Sequence, residues 1–265
     1  MLEIESSYQP VFAELGLNSF EAVTAFFAGD QRVTGGVLLR AKQLEAPGCS
    51  SVSVFFKLYH HDSPSWAFFG RRSKARCEYR NYAAFAGLQI PCAERVACGE
   101  LRDHWGRLRR AFIITRELPG ALTLIDFVAR HCPSGKLPAA RKLRHALRRQ
   151  VAEMTRRMHR AGFYHHDWVW RNILVTWNPP GEPKIWCIDC PRGQFDRWSP
   201  RQTRRRLKDL ASLDKSAVKF CTLGERVAFM RDYLGVRRLD STAKRLLRAV
   251  REYRRVRWPE DWPGR

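Results

Sequence analysis

One stretch constrains this chain more than any other: Gly162 to Arg192, GFYHHDWVWRNILVTWNPPGEPKIWCIDCPR. Two apolar pieces of strand character, Ile173–Val175 and Lys184–Ile188, flank a Pro-Pro-Gly turn, so the segment reads as a hairpin. His166 and Asp167 come just before the first piece, Asn172 follows Asp167 by five positions, and Asp189 directly follows the second piece. A short loop ending in Asn172 and a hairpin returning Asp189 can gather three oxygen-bearing side chains at one point. Phosphoryl transfer needs such a group: a carboxylate beside the attacking hydroxyl, and oxygen ligands for a Mg2+ that bridges nucleotide phosphates. Each residue alone would more often be a polar turn or a strand end. In this order, Asp167 reads as the catalytic carboxylate, and Asn172 and Asp189 as the metal ligands.

The pattern H-x-D-x-x-x-x-N, then strand, turn, strand and Asp, is that of a protein-kinase catalytic loop and its metal-binding aspartate. Upstream residues fall in the matching order. Ser51–Tyr59 (SVSVFFKLY) is rich in β-branched and aromatic residues and reads as a strand with Lys57 near its end. A helix expected over Ser73–Gly87 supplies Glu78 early, with Tyr79, Tyr82, Phe85 and Ala86 as its apolar face. Lys57 is therefore assigned to the α/β phosphates of ATP, and Glu78 to orienting that lysine. Phe20–Leu44 alternates apolar stretches with Gly29-Asp30 and Gly35-Gly36, which predicts two antiparallel strands and a turn. No G-x-G-x-x-G is present, so Gly35 and Gly36 are the residues whose backbone could approach phosphate. Phe112–Glu117 (FIITRE) reads as a buried strand running into Leu118-Pro119-Gly120. That places Glu117 and Leu118 where backbone groups would hold adenine.

Leu122–Arg130 is expected as a short helix and Lys136–Ala161 as the longest one. In the latter, Leu143, Leu147, Val151, Met154 and Met158 recur at helical spacing as a buried stripe, and Gly162 is a fitting C-cap. The C-terminal third reads as helical and strongly basic from Arg237 to Arg257, ending in Trp258 and Trp262. Such a run is either a solvated face or a surface for an anionic bilayer. Over the whole chain, 48 Lys+Arg against 26 Asp+Glu give a net charge of +22, which calls for an anionic partner. No export signal and no spanning segment are legible, and the eight cysteines lack a disulfide rhythm, so they are expected as reduced thiols. Cys187 and Cys190 bracket Asp189 at a strand end, which is not the setting of a redox pair or a zinc site.

The chain resembles the lipopolysaccharide kinase (Kdo/heptose kinase, WaaP-type) family. The resemblance spans roughly Val33 to Leu234 and rests on Phe55-Phe56-Lys57, on Cys77–Arg80 (CEYR) and on Phe112–Leu118 (FIITREL). It continues through Met158–Asp167 (MHRAGFYHHD), Ile188–Gly193 (IDCPRG) and Arg206–Leu213 (RLKDLASL). I-D-x-x-R in place of D-F-G, and the later K-D-L-A-x-L, distinguish this pattern from ordinary protein kinases. The resemblance implies an α+β, two-lobed protein-kinase-like fold. A small antiparallel β-rich lobe would cover Met1–Arg116 and a larger helical lobe Glu117–Arg265, together one kinase domain. It further implies ATP and Mg2+ as cofactors and an inner-core sugar of lipopolysaccharide, heptose or Kdo, as acceptor. Arg192 and His166 are assigned to substrate or phosphate charge, although His166 stands where most kinases carry Arg. The expected location is cytoplasmic, peripheral on the inner membrane's cytoplasmic face, with that anionic surface as a partner and no nucleic acid. Two other readings share these residues: a kinase of a soluble small-molecule or protein acceptor, and a non-catalytic basic module binding membrane or nucleic acid.

Overall fold

A computed structural model describes residues 1–28, 32–34, 37–61, 68–132, 138–196 and 198–261. Gly35, Gly36 and Trp262 lie outside the described residues. The chain divides into two compact units, one of Met1–Ala86 with Cys92–Leu118 and one of Gly87–Pro91 with Pro119–Arg265.

The first unit comprises β1 (Leu2–Ile4), α1 (Gln9–Glu14), α2 (Phe20–Phe26), β2 (Arg32–Thr34), β3 (Val37–Leu44), β4 (Val52–His60), α3 (Lys74–Gly87), β5 (Arg95–Arg102) and β6 (Leu108–Arg116). Its strands form one antiparallel sheet in the order β1-β5-β6-β4-β3-β2. Strand alternation sorts β4 by face: Val54, Phe56 and Leu58 are buried in the core, while Phe55 stands 42% exposed. Phe56 stacks on Phe27 at 4.4 Å between ring centroids, and Phe20 meets Phe112 at 5.2 Å. Each such phenyl ring contributes about 1.5–3 kcal/mol by leaving water.

Phe20–Phe26 is a helix where strand was expected. Ser19 caps it, its Oγ accepting from the Ala22 N–H at 3.0 Å. Phe20, Val23 and Phe27 then recur at helical spacing and all three are buried, so the apolar run serves one helix face. The sequence reading also had no strand at Arg95–Arg102. That strand carries Gly99, where an added Cβ would lie 2.5 Å from the Phe112 ring. Glycine is thus what lets the fully buried Phe112 cross over β5.

The second unit holds β7 (Leu122–Thr123), α4 (Leu124–His131), α5 (Pro138–Arg160), β8 (Phe163–Tyr164), β9 (Ile173–Thr176), β10 (Lys184–Cys187), β11 (Gln194–Phe195), α6 (Ser199–Phe220), α7 (Leu223–Leu234) and α8 (Ser241–Arg257). The expected hairpin is β9–β10, antiparallel, with Ile173 opposite Cys187. The stripe on α5 is buried at Leu147, Val151, Met154 and Met158. Gly162 ends that helix at φ +74°, a conformation that favours glycine, with the Asp196 carbonyl 3.0 Å from where a Cβ would sit.

Leu210, Ala211, Met230, Tyr233 and Val250 make a core in which Leu246, Leu247 and Tyr253 of α8 are partly buried. Arg254 of α8 is 4% exposed and pairs with Asp214 at 2.9 Å. The apolar side of α8 is therefore committed to its own unit, and the side left to solvent carries Lys244, Arg245, Arg248, Arg251, Arg255 and Arg257. Among the described residues no helix is long and apolar enough to cross a membrane.

Candidate active site

In the first unit, Lys57 sits on β4 between Leu39 of β3 and Ile113 of β6. Its Nζ lies 3.2 Å from Glu78 Oε2. Glu78 was placed by sequence beside the apolar face of α3; it lies within it, 3% exposed among Ala75, Tyr79, Tyr82 and Phe85, whereas Ala86 is exposed. A carboxylate so buried needs every lone pair met. Tyr59 donates its hydroxyl to Oε2 at 3.1 Å and Tyr82 donates to Oε1 at 2.8 Å. Lys57 and Tyr59 share a face because strand side chains alternate, and Glu78 and Tyr82 share one because they are a helical turn apart. Those spacings were the available signal for the two hydroxyl donors; Tyr82 is expected from sequence only as part of the apolar face, and Tyr59 only as a strand residue. Glu117 and Leu118 end this unit, and the Glu117 N–H donates to the Ser53 carbonyl at 2.8 Å.

In the second unit, β8 delivers the chain into His165, His166 and Asp167. Asn172 closes the loop: its Nδ2 donates to the Asp167 carbonyl at 2.8 Å and to Asp167 Oδ2 at 3.2 Å. The Ile188 N–H donates to the Asn172 carbonyl at 3.0 Å, which sets Asp189 beside that residue. Two of these residues are held in left-handed backbone although neither is glycine, His166 at φ +68° and Asp189 at φ +56°. Such conformations cost on the order of 1–3 kcal/mol each and persist only where neighbours enforce them.

The enforcing groups are buried. Asp209, on α6 and 0% exposed, accepts the His165 N–H on Oδ2 and the His166 N–H on Oδ1, both at 2.8 Å. Burial alone would raise its pKa; the hydrogen bonds from His159 and from the His165 N–H outweigh that and hold it below the ordinary carboxyl value. Trp168, also 0% exposed, donates Nε1–H to Thr155 Oγ1 at 2.9 Å, and Thr155 donates to the Val151 carbonyl at 2.7 Å. The loop is thereby tied to both α5 and α6.

Around Asp167 the charges are mixed. Arg171 Nη2 lies 3.2 Å from Asp167 Oδ2 on the solvent side, and Arg192 is exposed in the turn after Asp189. Lys208, half-buried, feels both Arg192 and Asp167, and burial lowers its pKa. His166 differs from its expected role. Burial pushes its pKa down to about 4, with Lys208 and Arg205 adding to the effect, so the imidazole is neutral at physiological pH and carries no charge to a phosphate.

His165 is fully buried, and burial lowers its pKa too. Its Nε2 lies 3.2 Å from the Ile188 carbonyl, an acceptor, so the proton is on Nε2. Both imidazoles refuse a proton that the unfolded chain accepts. The stability they confer is complete above the ordinary histidine pKa of 6.5 and is lost as pH falls below it, for His166 down to about 4. The urea midpoint is therefore expected to drop between roughly pH 7.5 and pH 5, and to drop less in a His166→Asn chain. An equal drop in both would remove His166 from this account.

The oxygen donors suit a hard cation. With Nδ2 of Asn172 turned to Asp167, its Oδ1 is left to accept, and Asp189 adds a carboxylate. Cys187 and Cys190, flanking Asp189, are buried.

A family model, "Lipopolysaccharide kinase (Kdo/WaaP) family", matches residues 57–253. No curated protein sequence matches the chain. Among solved structures, WaaP in complex with acyl carrier protein is similar over 99% of this chain and 99% of that one, at 25% identity and a TM-score of 0.71. The Rio2 kinase–ADP/Mg2+-phosphoaspartate complex from Chaetomium thermophilum aligns over 92% of this chain and 76% of its own, at 11% identity and a TM-score of 0.52. That second likeness concerns the fold, an α+β kinase fold.

Proposed function

The chain belongs to the lipopolysaccharide kinase (Kdo/WaaP) family, and from that premise we propose that it transfers the γ-phosphate of ATP to a sugar hydroxyl, of heptose or Kdo, in the lipopolysaccharide inner core during its assembly. The observation that carries this reading is the closed loop in which Asn172 holds both the carbonyl and the carboxylate of Asp167. In it Asp167 orients the sugar hydroxyl and takes up its proton, an effect of roughly 10^2–10^4 in rate. Asn172 and Asp189 would hold Mg2+, whose chemistry is to neutralise charge on the phosphates. Lys57, kept in place by Glu78, serves the α/β phosphates; Glu117 and Leu118 offer backbone groups to adenine; Arg192 offsets phosphate charge. Aligning donor and acceptor is worth up to about 7–11 kcal/mol of the barrier.

The chain's anionic partners follow from its charge. Lipopolysaccharide is a polyanion, and the net charge of +22 with the arginine-rich outer side of α8 favours attachment to the cytoplasmic face of the inner membrane. Acyl carrier protein, bound by the WaaP relative, is proposed as a further partner. A cavity of about 290 Å3 in the second unit, lined by Leu147, Val151, Leu213, Phe229, Met230 and Leu247 among others, offers an acyl chain an apolar environment. Each methylene buried there would contribute about 0.8 kcal/mol.

The test is Mg·ATP with lipopolysaccharide from a strain lacking core phosphate, set against a panel of small alcohols and peptides. Phosphate is expected on the core sugar and not on the panel. Transfer to a panel member alone would replace the acceptor with a soluble one. Absence of nucleotide binding would overturn the kinase reading and leave a basic binding module.

A further inference from the structure

A pocket of about 360 Å3 in the second unit is built from α5, β8, α6 and α7, and its lining includes Arg156, His159, Arg160, Tyr164, Arg206 and Tyr233. Three guanidinium groups line it and no carboxylate does. Arg156 pairs with Glu153 through Nη2, yet its Nε is buried with no hydrogen-bond partner. Its Nη1 occupies space that only a glycine leaves free, 2.8 Å from where a Cβ on Gly235 would stand. Arg160 is exposed. Clustered guanidinium N–H donors of this kind fit phosphate oxygens, which they meet in forked pairs.

The wall of this pocket is also one end of a buried chain of hydrogen bonds. Arg206 Nε–H donates to the Tyr233 oxygen at 2.6 Å. The Asp209 carboxylate only accepts, so a neutral His159 leaves Nδ1 to accept from the Tyr233 hydroxyl, 2.8 Å away. His159 then carries its proton on Nε2, which faces Asp209 Oδ2 at 3.4 Å. Burial pushes the Tyr233 pKa up to about 12, so its hydroxyl keeps the proton that the link requires. Asp209 in turn holds the backbone of His165 and His166. Every donor points the same way, from the pocket's arginine to the loop that carries Asp167, and His159 and Asp209 are 4% and 0% exposed at their side chains.

We propose that this pocket is a second anion site, for a phosphate group, and that its occupant acts through Arg206, Tyr233 and His159 on the Asp209 clamp of the catalytic loop. Phosphate forked onto the Nη groups of Arg206 fixes that side chain while leaving its Nε–H to Tyr233. The links beyond it then lose freedom, and the His165–Asp167 amides open less often. The phosphate can belong to a soluble compound or to a lipid surface, and both present the same oxygens. The site is separate from the proposed phosphoryl transfer and does not depend on the identity of its acceptor.

The full chain, without nucleotide or Mg2+, is titrated at constant ionic strength with inorganic diphosphate in one arm and with phosphatidylglycerol vesicles in the other. Hydrogen exchange of the His165–Asp167 segment is followed in both. Saturable binding is expected, weakened about tenfold by Arg160→Ala, which removes one charged donor, together with slower exchange of the loop. Tyr233→Phe should retain binding within about threefold but lose the slowing of exchange, because the donor to His159 is gone. Diphosphate binding assigns a soluble ligand, and binding to vesicles alone assigns a lipid headgroup. Binding in neither arm, or binding indifferent to Arg160→Ala, overturns the site. Equal slowing of exchange in the Tyr233→Phe chain overturns the connection to the loop.

Discussion

An Asp209→Ala chain is expected to unfold on the order of 10 °C lower than the wild type and to lose phosphoryl transfer by about a hundredfold or more. The two effects have one source. Removing the carboxylate leaves the His165 and His166 N–H groups buried without acceptors, and leaves His159 facing a void. Each orphaned buried donor costs about 1–3 kcal/mol, and breaking a buried charged arrangement at one partner costs about 3–5 kcal/mol. For a chain of this size a loss of that order lowers the midpoint by roughly 2–4 °C per kcal/mol. The left-handed backbone of His166 then loses the acceptor that holds its N–H, and a shift of Asp167 by about 1 Å is enough for a hundredfold loss. Thermal unfolding and transfer to dephosphorylated lipopolysaccharide, measured together, check both. Asp209→Asn, which keeps one acceptor, should fall between. A folded Asp209→Ala chain with wild-type midpoint and rate would show that the clamp does not hold the loop.

Asp167→Ala should cut transfer by two or more orders of magnitude while leaving Mg·ATP affinity within about threefold, since only the transition state loses a contact. Here the fold is not at stake. Asn172 keeps its bond to the Asp167 carbonyl, which the alanine retains, and Ile188 keeps its bond to Asn172. Asp167 is 40% exposed at its side chain, so truncation opens no buried cavity. The Arg171 guanidinium, freed of its partner, stays in solvent at little cost. A rate above about a tenth of wild type would remove Asp167 from the chemistry, and a matching loss of nucleotide affinity would make it a binding residue instead.

What could be read from the residue order and what could not divide along sequence separation. The Asp167–Asn172 loop, the β9–β10 hairpin and the α5 stripe are local patterns with fixed spacings, and each stands where the sequence put it. Lys57 and Glu78 were recognised by order alone, and the ion pair between them forms. The helix at Phe20–Phe26 was misread because apolar runs broken by glycine suit strands as well, and the decisive signal, the Ser19 cap, is a single residue. Arg95–Arg102 escaped because a strand with glycine at its centre lacks the expected alternation. Asp209 lay in a motif that carried the resemblance, but its bonds reach back 44 and 43 residues, and no spacing rule spans that distance. Trp168 and Thr155 are a similar case: each is ordinary locally, and their bond exists only once α5 and the loop are packed. The charge expected of His166 failed for the same reason, because burial is a property of the packed molecule.

The fit of Phe112 over Gly99 restricts the order in which this protein can change. Phe112 is fully buried, with Phe20 and Phe56 as ring neighbours, so it cannot swing aside for a methyl group arriving at position 99. A lineage can acquire alanine there only after a smaller residue has appeared at 112, and that first step opens a cavity costing about 3–5 kcal/mol if it reaches alanine. Either substitution is harmful first and tolerable second. The pair behaves as one inherited unit, although the sequence holds its two members thirteen residues apart.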